Sequence, residues 1–194
     1  MKMGVFLSVI LWAWVLTVGA KNIEPRFDGK KITNDVFWNT AEGMPLYSQG
    51  GGIFRYPDPD TGRLRYYWYG VRYAEAVRYR EDPSVTYPAC TFEAVTCYSS
   101  DDLINWYYEG DVLTREEVDC YGRAGWVGRM GVAYLEAWNQ YVLVVQHDNG
   151  VLFALSHTPN GRFTWHRRIT MEKIIGTPNT GDQTVFVDED TRKP

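Results

Sequence analysis

A pattern of four short strand-like runs occurs twice along this chain, and that repetition constrains its fold more than any other feature. The first set is Gly51 to Arg55, Leu64 to Tyr69, Phe92 to Tyr98 and Trp106 to Leu113. The second is Gly131 to Tyr134, Tyr141 to Gln146, Val151 to Ser156 and Phe163 to Ile169. Helical periodicity is nearly absent between them. The runs are short, apolar or alternating, and divided by turn formers, of which Pro57-Asp58-Pro59-Asp60-Thr61-Gly62 is the strongest hairpin signal. Both sets carry the same marker at the third turn. Ser99 to Trp106 and Ser156 to Trp165 each run from a serine at a strand end, through polar turn formers, to a tryptophan opening the next strand. Four strands repeated at about 40 to 60 residues are the signature of propeller blades. The expected fold is therefore all-β, with one blade at about 45–115 and a second at about 126–170. Gln183 to Asp188 is read as the start of a third, in a segment at about 181–194.

The region before the strands is of another kind. Lys2, the apolar run Val5 to Val18 and the small residues Val18-Gly19-Ala20 have the three-part layout of a secretory signal peptide, assigned to 1–20. The apolar run is shorter than the ~18 residues of a membrane span. The expected location is secreted or periplasmic, with no membrane span once the signal is removed; the alternative is an uncleaved anchor. The partial propeller then occupies 21–194. A propeller loses its exposed edges only by going round. Two blades and one strand are thus expected to be a truncated or partner-completed piece.

The formal net charge is −4 and no basic stripe stands out, which argues against nucleic acid as a partner. Eight tryptophans and fourteen tyrosines are many for this length. Such residues suit pleated, half-buried surfaces and cross-strand pairs. In an exported protein their faces also suit the apolar C–H faces of sugars. Cys90, Cys97 and Cys120 permit at most one internal bridge and match no zinc spacing. His147, His157 and His166 are too irregularly spaced for a metal site and read as ordinary sheet or surface histidines. No cofactor or metal is implied. Val71 to Pro88 is read as a long polar insertion in the first blade, either shaping a pocket or forming a loose loop.

Several motifs, taken in order, are similar to glycoside hydrolase family 43. Ser48-Gln49-Gly50-Gly51-Gly52-Ile53, Tyr66-Tyr67-Trp68-Tyr69-Gly70 and Cys97 to Trp106 resemble its opening blade. Gly128-Arg129-Met130-Gly131-Val132 resembles its second, and Gly181 to Asp190 the start of its third. The resemblance spans about residues 28–190 and is nearest to the branch acting on galactan and arabinogalactan side chains. It implies a five-bladed β-propeller and an inverting, exo-acting hydrolase of galactose- or arabinose-containing plant polysaccharide. Inversion needs an acid on the leaving oxygen and a base activating water across a gap of roughly 6.5–9.5 Å.

Carried over residue by residue, the resemblance is partial. Asp182 matches the carboxylate that modulates the acid and is the candidate catalytic residue. Where most of the family has its base aspartate, this chain has Gln49 and three glycines. A glutamine cannot take up a proton, so Gln49 serves at most to position a water or a sugar hydroxyl. Gly128 stands where a glutamate is often found. The family's general acid lies on a later blade, so the chain by itself is expected to be inactive. Trp38 and Trp126 are candidate sugar platforms; Arg129 and Gln183 are candidate polar contacts, and Arg129 is also a partner for Asp182. Asp188 and Asp190 read as hairpin-turn residues, and Glu42 and Glu75 as solvated loop carboxylates. The alternative function is a carbohydrate-binding propeller without catalysis. A sialidase-type propeller is a weaker rival, because the Ser100 to Trp106 stretch lacks the glycine of an aspartate box.

Overall fold

The computed structural model describes residues 30–119, 125–178, 181–188 and 190. The signal peptide assigned to 1–20 and Cys120 lie outside the described residues. Among the described residues no helix is long and apolar enough to cross a membrane.

The first sheet is β1 (Gln49–Pro57), β2 (Leu64–Tyr73), β3 (Phe92–Ser100) and β4 (Tyr107–Thr114), all antiparallel in that order. The second is β5 (Val127–Leu135), β6 (Gln140–His147), β7 (Gly150–Ser156) and β8 (Thr164–Thr170), also antiparallel in sequence order. Each of the eight runs read from the sequence falls on one of these strands. The result is all-β, two up-and-down sheets, consistent with part of a propeller.

The alternation in β2 shows why its sequence makes a sheet between two environments. Tyr67, Tyr69 and Val71 are buried in a core shared with Met130, Leu143, Leu152 and Phe163 of the second sheet region. Trp68 and Arg72, on the other face, are only half-buried. Trp68 meets Trp106 edge-on with ring centroids 5.2 Å apart, and Arg72 forms a bidentate pair with Asp111 at 2.8 Å. Successive strand residues point to opposite faces, so one apolar and one mixed face follow directly.

The hairpin between β1 and β2 forms as its residues predict. Asp58 Oδ1 accepts from the backbone N–H of Asp60 and Thr61 and from the Thr61 hydroxyl. Gly62 takes the left-handed φ of +70° that closes the turn. The Thr61 hydroxyl and N–H hold the Asp58 carboxyl below its usual range.

Tyrosine hydroxyls join the two sheets. Tyr56, Tyr69 and Tyr73 donate to the carbonyls of Val132, Pro159 and Val127 at 2.7, 2.6 and 2.7 Å. Each delivers a large apolar ring to the interface and satisfies its one polar atom there. The Tyr67 hydroxyl is also buried and has no hydrogen-bond partner among the described residues.

Three expectations change in detail. Phe163, not Trp165, occupies the place of Trp106: both are fully buried and immediately precede the fourth strand of their sheet. Trp165 lies one residue into β8, half-buried, against His147. The insertion starts later than Val71, because pairing of β2 with β3 continues to Tyr73↔Phe92. It then forms a short helix, α1 (Ala76–Glu81). Finally, residues 183–188 are not in a strand ladder among the described residues. Val185 lies instead on the side-chain face of β5, so close to Gly131 that a Cβ there would sit 2.6 Å from Val185 Cβ.

Candidate functional site

The inner strands β1 and β5 pack against each other, and each breaks register near its first residues. The shift lies between Gln49 and Gly52 in β1 and between Val127 and Met130 in β5. Such a bulge re-aims side chains at a strand end. In β1 the local sequence is dictated by space. A Cβ on Gly51 would lie 1.6 Å from the Tyr69 carbonyl oxygen, and Gly50 has φ +71°. Only glycine fits the first position, and it is strongly favoured at the second.

In β5 the same break is filled. Trp126 folds its indole back over Gly128, where a Cβ would meet the ring at 2.1 Å. This explains why a glycine stands at the position where the resemblance led one to look for a glutamate. The Trp126 backbone is fixed by Asp148, whose Oδ1 accepts from the Trp126 N–H at 2.8 Å and whose own N–H donates to the Trp126 carbonyl at 2.9 Å. Arg129 extends across β1 so that its side chain lies 3.5 Å from the Cβ position of Gly50.

Arg129 also meets the segment after the second sheet. Its Nε lies 3.3 Å from Asp182 Oδ2, and the Gln183 amide reaches the Arg129 carbonyl at 3.5 Å. The pairing of Arg129 with Asp182 considered from the sequence is therefore present. Both members are well exposed, with side chains 43% and 73% accessible. An exposed pair of this kind adds little stability, so its consequence is to orient a carboxylate and a guanidinium at the strand ends.

Beside these groups opens a cavity of about 730 Å³. Its walls include Trp38, Trp68, Trp126 and Gln49. Arg129, Asp182 and Gln183 are not among its lining side chains; they stand next to it through Gly50, the neighbour of Gln49. The six candidates read from the sequence thus fall into two adjoining groups, three in the cavity and three beside it. Trp38 is held by its indole N–H donating to the Thr33 carbonyl at 2.9 Å and by an edge-on contact with Trp68 at 5.8 Å.

The insertion after β2 forms one side of this cavity through Glu75, Tyr79, Arg80 and Tyr87. Its base is clasped shut. Ala74 N–H donates to the Thr91 carbonyl, and Glu75 accepts from the N–H and hydroxyl of Thr91 at 2.8 and 2.7 Å. Glu75 is therefore a structural clasp rather than a solvated loop carboxylate, and the Thr91 N–H holds its carboxyl below the usual range. Burial pushes the Tyr73 phenol up to about 12, which leaves it a donor to Val127 at neutral pH. Glu42 is exposed and is not a lining residue. Asp188 Oδ1 accepts from the Asp190 N–H at 3.0 Å, a local turn bond. Cys90 and Cys97 are free thiols, the first exposed and the second buried.

Sequence reasoning passed over Trp68, Tyr79 and Arg80. The signal for Trp68 was its place opposite Tyr98 on the half-buried face of β2. The signal for the other two was an aromatic, basic helix inside an insertion otherwise rich in turn formers.

No family model matches the chain, and no curated protein does. Solved structures do. An exo-β-1,3-galactanase from Clostridium thermocellum is 27% identical, with a TM-score of 0.59 over 82% of this chain and 33% of its own. An exo-β-1,3-galactanase from Phanerochaete chrysosporium, solved with β-1,3-galactotriose, is 23% identical over 80% of this chain and 33% of its own, at a TM-score of 0.62. A β-1,3-galactosidase of glycoside hydrolase family 43 is 22% identical over 83% and 32%, at 0.59. The chain has a glycoside hydrolase family 43-like fold. It spans about a third of the length of these three structures.

Proposed function

We propose that this chain is the front part of a secreted or periplasmic five-bladed propeller glycosidase, inverting and exo-acting on galactose- or arabinose-containing polysaccharide. The observation that carries the reading is the joining of three things at one end of the inner strands. These are an indole-walled cavity, the Arg129–Asp182 pair and the glycine run of β1. Indole faces take the apolar faces of a sugar ring, while Gln49, Gln183 and Arg129 offer donors to its hydroxyls.

In this reading Asp182 is the carboxylate that sets the orientation and proton affinity of the catalytic acid, and Arg129 aims it. Gln49 orients the attacking water or a hydroxyl. The general acid is assigned to none of the described carboxylates beside the cavity. Glu75 is bound to the Thr91 N–H and hydroxyl, which favours its ionised form; Asp182 is paired with a guanidinium. Val185 on the face of β5 is what a third blade packed on the second sheet would begin with.

The test is to incubate the full gene product with β-1,3-galactan, arabinogalactan, arabinan and xylan, and to follow the anomeric protons by NMR. Release of a single sugar of inverted configuration is expected, and Asp182→Asn should lower it by a hundredfold or more, within the roughly 10²–10⁴ range of acid–base contributions. Binding without release on every polymer would leave only a lectin-like role, and neither binding nor release would overturn the reading.

A further inference from the structure

The first sheet is entered by a segment that carries Trp38 in the cavity wall and is tied to β3 at its far end, where the Tyr47 N–H donates to the Tyr98 hydroxyl and the Tyr47 carbonyl accepts from the Thr96 hydroxyl. Its own hairpin is closed by Leu46 N–H to the Trp38 carbonyl and by the bridge Asn39↔Pro45. Ala41 N–H reaches the Trp106 carbonyl at 2.8 Å. Residues 37–39 are gripped from the insertion by one side chain. Arg80, in the last turn of α1, donates through one guanidinium nitrogen to the Trp38 carbonyl at 2.9 Å and through the other to the Asn39 side-chain oxygen. The same guanidinium lies over the Phe37 ring, 5.2 Å from its centroid. Tyr79, its neighbour, meets that ring edge-on at 6.0 Å.

Arg80 thus contacts three consecutive residues, two through in-plane N–H donors and one through the flat face of the guanidinium. Among the described residues it makes no ion pair, so its charge is not used to neutralise a carboxylate. What it contributes is a rigid fork and a flat cation, which a lysine does not reproduce. The two ends of the insertion are joined just ahead of β3 by the Glu75–Thr91 clasp, so α1 is a braced arm rather than a free loop.

We propose that Arg80 is a positioning residue that sets the angle of the Trp38 indole in the cavity, making the insertion the element that determines which sugar is accepted there. The proposal rests on the functional reading above for its ligand, but not for its geometry. Arg80 itself touches no reacting group; it acts through Trp38.

Two measurements on the full chain test it. Calorimetric titration with β-1,3-galactotriose should show Arg80→Ala and Arg80→Lys each weakening affinity by about fivefold or more, the worth of one good hydrogen bond. Melting temperature should change little. Arg80→Ala combined with Trp38→Ala should bind no more weakly than Trp38→Ala alone, because the first acts through the second. Additive losses, or an unchanged Arg80→Ala, would overturn the proposal. If the unaltered protein binds no galactotriose, the functional reading fails, and the second measurement decides the geometry. In protein labelled with 5-fluorotryptophan, Arg80→Ala should shift or broaden the ¹⁹F line of Trp38 and leave that of Trp126 in place. A Trp38 line unmoved by the substitution would reject the positioning role.

Discussion

The two inner strands share one backbone device and use it in opposite ways. β1 and β5 both lose register within their first four residues. In β1 the break closes on its own sheet: a Cβ on Gly51 would lie 1.6 Å from the Tyr69 carbonyl oxygen and one on Gly52 2.9 Å from the Phe54 ring. In β5 the break is filled: Trp126 covers Gly128, and Arg129 reaches over Gly50 to Asp182. A repeated unit can therefore supply both the floor and the wall of one site. The glycine in each strand is demanded by a different neighbour, backbone in the first and a side chain in the second.

That difference predicts unequal costs. Gly51→Ala forces a Cβ into a carbonyl that belongs to the centre of the first sheet. It should destabilise the fold by about 3 kcal/mol or more, or prevent folding, because a buried backbone cannot step aside. Thermal unfolding measures this, and a loss under about 1 kcal/mol would show that β1 can slide.

The tyrosines between the sheets give the next contrast. Tyr69→Phe removes a buried hydroxyl that donates to the Pro159 carbonyl and should cost about 1–2 kcal/mol. Tyr67→Phe removes an equally buried hydroxyl with no partner and should be neutral or slightly stabilising. Equal effects in denaturant titrations would mean that the two hydroxyls are not distinct.

Gly128→Ala should cost less than Gly51→Ala, about 1 kcal/mol or below, because an exposed indole can swing away where a carbonyl cannot. The displaced ring would then leave the cavity, so sugar affinity should fall while the melting temperature barely moves.

The smallest effect separates the two third turns. In the first sheet, Asp102 accepts from the N–H groups of Asn105 and Ile104. The Asn105 N–H is the main cause that lowers its carboxyl from 3.8 to about 2. A carboxyl lowered on folding contributes stability that is full above its ordinary value and is lost as pH falls through the folded one. Amides of residues 104 and 105 should therefore lose exchange protection between about pH 4 and 2. The corresponding turn from Ser156 to Phe163 contains no carboxylate and should be unaffected over that window. Asp102→Asn should abolish the difference.

Much of this fold was legible because strand alternation and turn residues act locally. All eight runs became strands, and Pro57 to Gly62 became the turn its residues encode. Two things were hidden. Trp165 and Phe163 are two residues apart, on one face by strand periodicity, and only burial shows that Phe163 fills the place of Trp106. The role of Gly128 was hidden too, since nothing local announces that an indole two residues earlier lies across it. The Arg129–Asp182 pair was open to anticipation from charge, but Arg80 was not. Its partners lie about 41 positions earlier, and sequence spacing carries no record of such a contact.

The most direct test of the account is a titration of the ¹⁵N-labelled protein with β-1,3-galactotriose, read at the tryptophan indole N–H resonances. The account predicts that Trp38 and Trp126 shift together and saturate, while Trp138, exposed beside the apolar groove on the second sheet, stays in place. Shifts confined to Trp138, or none at any indole, would contradict the assignment of the cavity as the sugar site.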